Sequence, residues 1–299
     1  MQRNTSIHNS SIRTVFIPLA LLTLAFLAAG CGAPDVPGGS ATEPEVTSSA
    51  YIADLVQRLA AGDGMRLIDL TYPLSPEGLY WPTGSAFEHE REGWAINEKG
   101  YWYASGAFSS PEHLGTHIDA PIHFAQNGLT LAEIPIDKLI GPGVLIDISD
   151  RCVTDADAML QPEDLEAWED RHGRIPAGAV VLVRSGWARF WPHWNEYYGS
   201  DTPEDVTTLH FPGISEDAAA VLAERGVAGV GIDTASIDPG ISSLFEAHQV
   251  LGAANVFNLE NLTNIDSLPE SGFAVITMPM KIADGTGAPA RVVALVPDQ

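Results

Sequence analysis

Residues 110–124 read SPEHLGTHIDAPIHF, with His113, His117 and His123 beside Asp119, one glycine and two prolines. Imidazole nitrogens and a carboxylate are donors that suit zinc, manganese or iron(II), and they exclude a thiolate-type site. If the segment is extended, His117 and Asp119 lie two residues apart and share a face, while Thr116 and Ile118 point the other way. Gly115 lets the backbone bend so that His113 swings onto the same centre. Pro121 disfavours an α conformation at Ala120 and keeps a helix from starting early. The stretch therefore reads as a rigid metal-binding turn.

Composition bounds what surrounds this turn. The chain has 299 residues, 45% hydrophobic, with 28 glycines, as expected of an ordinary globular protein, and its length allows one large domain or two small ones. Its 15 basic residues against 39 acidic ones leave a formal net charge of −24, which argues against binding nucleic acid through phosphates.

The first thirty residues carry Arg3 and Arg13 ahead of an apolar run, and small residues precede Cys31. This is the pattern of a secretory signal, too short for a comfortable transmembrane helix. The ending LAAGC resembles a bacterial lipobox, in which Cys31 is lipidated; plain secretory cleavage nearby is the alternative. Residues 31–62 are expected to form a Gly/Pro/Ser-rich tether and then a short packing helix over 51–61 that ends at Gly62. The folded domain spans 63–299. The address expected is an exported, membrane-anchored lipoprotein, periplasmic or at the cell surface. Cys152 is then left without a disulfide partner, and no local histidine or glycine-rich turn marks it as a nucleophile.

Within the domain, MRLIDLTYPLS (65–75) reads as an alternating strand leading into a proline turn, 144–149 as a strand, 179–186 as a strand buried on both faces, and 162–172 as a helix begun by Pro162 and closed by Gly173. Ser215 is expected to cap a helix that Gly226 ends. The run from Tyr80 to Phe108 is rich in aromatics, read mostly as core, with Trp81 and Trp102 chosen to face the site. Residues 189–213 read as a loop that covers a site, with His210 at its end as a further substrate contact. Asp233 and Asp238 either support metal ligands from behind or satisfy a strand end, and are read as structural. A second metal needs more ligands than the turn supplies; His248, on a short helix, and Glu260, near the end of the following strand, are the side chains on offer.

EHLGTHIDAPIHF matches the pattern H-x-G-T-H-x-D-x-P-x-H of the cyclase-type metal-dependent hydrolases, the family of bacterial kynurenine formamidase and isatin hydrolase. The resemblance continues through VLVRSGW, FPGISEDAA, ERGVAGVGIDTASID and AHQVLGAANVFNLENL, over about residues 65–297. It implies a single α/β domain around a mixed sheet of the swivelling β/β/α kind. It implies His113, His117 and Asp119 as ligands of one or two Zn2+ or Mn2+ ions, the aspartate bridging two. His248 and Glu260 match the additional ligands in kind and separation, and His123 matches the last histidine of the signature, which is associated with proton transfer or with the metal shell and is assigned here as acid/base. The activity implied is hydrolysis of a small amide, most concretely an aryl formamide such as N-formylkynurenine. Opening of a lactam or lactone is the alternative, and a non-catalytic exported metal- or ligand-binding lipoprotein is the reading from a different class. Homodimers, with a partner's segment closing the pocket, are implied as well.

Overall fold

The computed structural model describes residues 48–298. The expected signal peptide, most of the tether and the lipidation of Cys31 lie outside the described residues.

Helix α1 (Ser48–Ala61) leads into strand β1 (Met65–Asp69), the hairpin β2 (Glu88–Ile96) and β3 (Trp102–Ser109), and the short strand β4 (His117–Asp119). The body continues through β5 (Ile140–Asp147), α2 (Ser149–Cys152), β6 (Met159–Leu160), α3 (Pro162–His172), β7 (Val180–Arg184), α4 (Trp194–Tyr198) and β8 (Gly213–Ile214). Helix α5 (Glu216–Arg225), β9 (Gly229–Ile232), α6 (Glu246–Ala253), β10 (Phe257–Glu260), β11 (Phe273–Pro279) and β12 (Gly287–Pro297) complete it. The caps of α5 follow from its sequence: the Ser215 side chain accepts from the Ala218 amide, and Gly226 closes the helix at φ 70°.

Eight strands form one mixed sheet in the order β1-β12-β11-β5-β7-β9-β10-β4. The run β5-β7-β9-β10 is parallel, and the flanking pairs are antiparallel. Strand β12 also pairs with β4, so the sheet closes on itself like a barrel. This closure explains why the central strands read as nearly continuous apolar runs. Leu145, Val180, Leu182 and Leu259 point into the barrel core, whereas Val144, Ile146, Val181 and Val183 pack against Leu165, Trp168 and Leu222 of the covering helices. Both faces are buried, as the parallel arrangement requires.

The hairpin β2–β3 corrects the reading of the aromatic run as mostly core. Trp94, Tyr101, Trp102, Tyr103 and Phe108 are all more than half exposed. Along both strands almost every residue is exposed, because the hairpin stands as a separate two-stranded sheet that the other described residues leave largely uncovered. The 189–213 segment behaves as a cover: Tyr197, Tyr198, Leu209 and Phe211 form a satellite core with Leu79 and Trp187.

Candidate metal centre

Strand β4 is wedged between β10 and β12, with His117 opposite Glu260 and Asp119 opposite both Asn258 and Gly287. Directly opposed residues of an antiparallel pair share a face. Register alone therefore brings Glu260 to His117 across 143 residues of chain. Helix α6 adds His248, and Gly115, at φ 60°, turns the chain so that His113 returns to the same point. Two groups form around the shared Asp119 carboxylate: His113–His117–Asp119 and Asp119–His248–Glu260, with ligand atoms within 4.8 Å of one another.

Each histidine has one ring nitrogen committed elsewhere. His117 Nδ1 donates to the Gly115 carbonyl at 2.9 Å, and His248 Nδ1 donates to Asp238 Oδ2 at 2.6 Å. His113 Nε2 donates to Thr286 Oγ1 at 2.9 Å, whose own hydroxyl donates to Glu112. These bonds set the tautomers. The remaining nitrogens are left as acceptors, and all three face carboxylate oxygens: His113 Nδ1 lies 2.6 Å from Asp119, while His117 Nε2 lies 3.2 Å from Asp119 and 3.3 Å from Glu260. His248 Nε2 lies 3.2 Å from Asp119 and 3.1 Å from Glu260. While His117 is neutral, its buried Nε2 has no hydrogen-bond partner among the described residues. Acceptors aimed at acceptors need either extra protons or a cation between them, so the donor set fits a divalent ion.

The electrostatics of the metal-free site agree. Burial by itself lowers the pKa of His117, but Asp119 and Glu260 outweigh it and raise it to about 10. For Asp119, burial works upward, yet the imidazoles of His117 and His113 hold it well below the usual carboxylate range. Glu260 is lowered as well: burial and Asp119 push it up, and hydrogen bonds and charge from His117 and His248 prevail. Protons stand where a cation would.

His123, at the end of the 3-10 turn Pro121–His123, stacks on His113 with centroids 3.9 Å apart and belongs to neither ligand group. Burial, aided by His113 and His248, lowers it to about 4 against the pull of Asp119 and Glu260, so it is neutral at pH 7. It opens onto a cavity of about 310 Å³ shared with His113, His117, His248 and Glu260. The far walls are apolar: Leu79, Tyr80, Trp81, Phe124, Tyr198 and Phe245.

Of the three side chains expected to touch substrate, only Trp81 lines this cavity. Trp102 is corrected: it lies 61% exposed on β3, in the projecting hairpin. His210 is corrected too, since Asp157 accepts from its Nδ1 at 2.9 Å and holds the ring outward. Asp233 has the structural role expected, with its carboxylate accepting from Ser185 and Trp187 at the end of β9. Asp238 does more than that, because it orients His248. Asn261 was not anticipated; its side chain donates to the Gly115 carbonyl and accepts from Tyr197. Its place directly after Glu260 was the one local clue.

A family model described as putative cyclase matches residues 68–239. Isatin hydrolase of Roseibium aggregatum is 35% identical over 198 residues, covering 62% of this chain and 72% of that protein. Kynurenine formamidase of Paracidovorax citrulli is 31% identical over 191 residues, covering 64% and 79%. Among solved structures, isatin hydrolase A from Labrenzia aggregata bound to benzyl benzoate aligns with a TM-score of 0.75 at 34% identity, over 83% of this chain and 100% of that one. An isatin hydrolase bound to the product analogue thioisatinate aligns at 0.77 and 29% identity, over 84% and 100%.

Proposed function

Since this chain belongs to the cyclase family of metal-dependent hydrolases, we propose that it hydrolyses a small amide of an aromatic amine, most concretely an aryl formamide such as N-formylkynurenine. The observation that carries the reading is the convergence of three acceptor nitrogens and two buried carboxylates on one point beside a neutral histidine and an aromatic cavity. His113, His117, Asp119, His248 and Glu260 are the residues that would hold one or two Zn2+ or Mn2+ ions. A divalent cation there supplies Lewis-acid chemistry and lowers the pKa of water from 15.7 to about 7.

His123 performs the proton work. Neutral at pH 7, it accepts a proton from the attacking water and returns it to the departing nitrogen as the carbonyl C–N bond breaks, leaving a carboxylic acid and an amine. Asp238 and Thr286 hold the rings of His248 and His113 in the tautomers this requires. The apolar walls exclude bulk water and seat the ring of the substrate.

A second reading, opening of an aryl-fused lactam, is favoured by the higher identity to isatin hydrolase than to kynurenine formamidase. Protein loaded with zinc or manganese is expected to release formate from N-formylkynurenine. Activity on isatin alone transfers the reading to ring opening, and stoichiometric metal without turnover of any amide, lactam or ester sinks both. Elemental analysis of His248→Ala and Glu260→Ala tests the ligand set, which is wrong if neither substitution lowers metal content or activity.

The exposed aromatic hairpin supports a homodimer, because apolar rings on an isolated two-stranded sheet call for a covering surface. Export as a lipoprotein rests on the sequence around Cys31; a diacylglyceryl-modified Cys31 as the first residue of the mature protein is the mass-spectrometric outcome that supports it.

A further inference from the structure

Phe245 stands against its local conformational preferences. It occupies the left-handed region at φ 56° and ψ 50° as the N-cap of α6. Among the described residues, the other non-glycine residues with positive φ are Asn255, Asn261, Asn264 and Asp284, types that tolerate this region. An N-cap position also favours a short polar side chain; the phenyl ring makes no capping bond, and the Asp238 carboxylate accepts from the Ala247 and His248 amides in its place. A tight turn holds the residue in place: Ser242 Oγ accepts from the Phe245 amide at 2.9 Å and donates to Glu246 at 2.8 Å. Glycine or asparagine would suit the backbone better. What the phenyl ring contributes lies in the cavity, where it meets Phe124 at 5.2 Å, Trp81 at 6.3 Å and His248 at 6.0 Å between centroids.

We propose that Phe245 is a specificity-determining wall of the cavity, selecting ligands whose metal-facing carbonyl or carboxylate is borne on a flat aromatic ring over aliphatic ligands of similar size. A conformational outlier beside a site points to function when the surroundings hold it in place. Three rings of different inclination around one space make a slot for a planar group, since offset and edge-on contacts are the favourable ones. The inference rests on the proposed aryl-amide reading, and it is tested by binding so that the two can fail separately.

The zinc-loaded full chain is titrated with benzoate and with cyclohexanecarboxylate, which share a carboxylate and differ in planarity. The same titrations are made on Phe245→Gly and Phe245→Asn, both compatible with the left-handed backbone, with zinc content measured for each. The expected result is a preference for benzoate that falls about tenfold in both variants, while zinc content stays at the wild-type level. The inference is overturned if wild type shows no preference, or if the preference survives in both variants. It is also overturned if both ligands weaken equally as zinc is lost, which would make Phe245 a support for α6. Absence of amide turnover with the benzoate preference intact and dependent on Phe245 would instead remove the hydrolase reading and leave this one standing.

Discussion

Asp238 Oδ2 accepts a hydrogen bond from His248 Nδ1 at 2.6 Å, and the same carboxylate accepts from the backbone amides of Ala247 and His248 at 2.9 and 3.1 Å. One side chain thus anchors the start of α6 and fixes which nitrogen of His248 faces Asp119. In Asp238→Asn an amide NH2 turned toward Nδ1 would force the opposite tautomer and put a proton on Nε2. Metal affinity is expected to fall by about 10–100-fold with the fold retained. Metal titration beside circular dichroism reads both, and unchanged affinity would assign Asp238 a purely structural role.

Asp119 belongs to both ligand groups, whereas His248 belongs to one. Asp119→Ala is therefore expected to strip metal from the whole site, and His248→Ala to leave the His113–His117 side occupied. Metal per chain, measured by elemental analysis, should be lower in Asp119→Ala than in His248→Ala. Equal losses would argue for a single ion held by all five residues.

In the metal-free protein His117 has a folded pKa raised to about 10 from its ordinary 6.5. A raised pKa stabilises the fold fully below pH 6.5, and that contribution drains as pH rises toward 10. Protons and metal compete for the same nitrogen, so metal binds more tightly over the same window. The gain in Tm on adding metal should therefore grow between pH 6.5 and 9. A gain that shrinks with rising pH would contradict the site.

Gly287 faces Asp119 across the β4–β12 pairing, and a Cβ there would lie 2.6 Å from both His113 Cε1 and the Ile118 carbonyl. Gly287→Ala is expected to displace His113, lowering metal affinity and activity, at a stability cost of about 1–3 kcal/mol. Denaturant unfolding and metal titration separate the two effects; full activity would show that His113 has room to move.

Cys152 is 3% exposed, and burial, with the field of Asp233, pushes its thiol up to about 12. Only the thiolate reacts, so iodoacetamide at pH 8 should leave the Cys152 peptide unmodified in folded protein and alkylate it after denaturation. Mass mapping of that peptide reads the outcome. Rapid labelling of the folded chain would indicate an opening of this part of the core.

By itself the sequence determined what depends on neighbours within one segment. The His113–Asp119 turn was legible because Gly115 and Pro121 shape it locally, and α3 and α5 because their first and last residues announce them. The family resemblance, carried by further segments over about residues 65–297, added His248 and Glu260 as implied ligands. Only the tertiary structure decided the rest. Closing the sheet through β12 put β4 between two partners, and the resulting register set Glu260 opposite His117. Pairing across so many residues is a property of the whole barrel and leaves no local mark. Which role Asp238 takes, support for a ligand or partner to a strand end, was decided only when the fold brought it to His248 Nδ1. The hairpin aromatics depart from the reading as core for a related reason: alternating rings look alike whether or not a second layer covers them, and Trp102 is exposed because none of the described residues covers it.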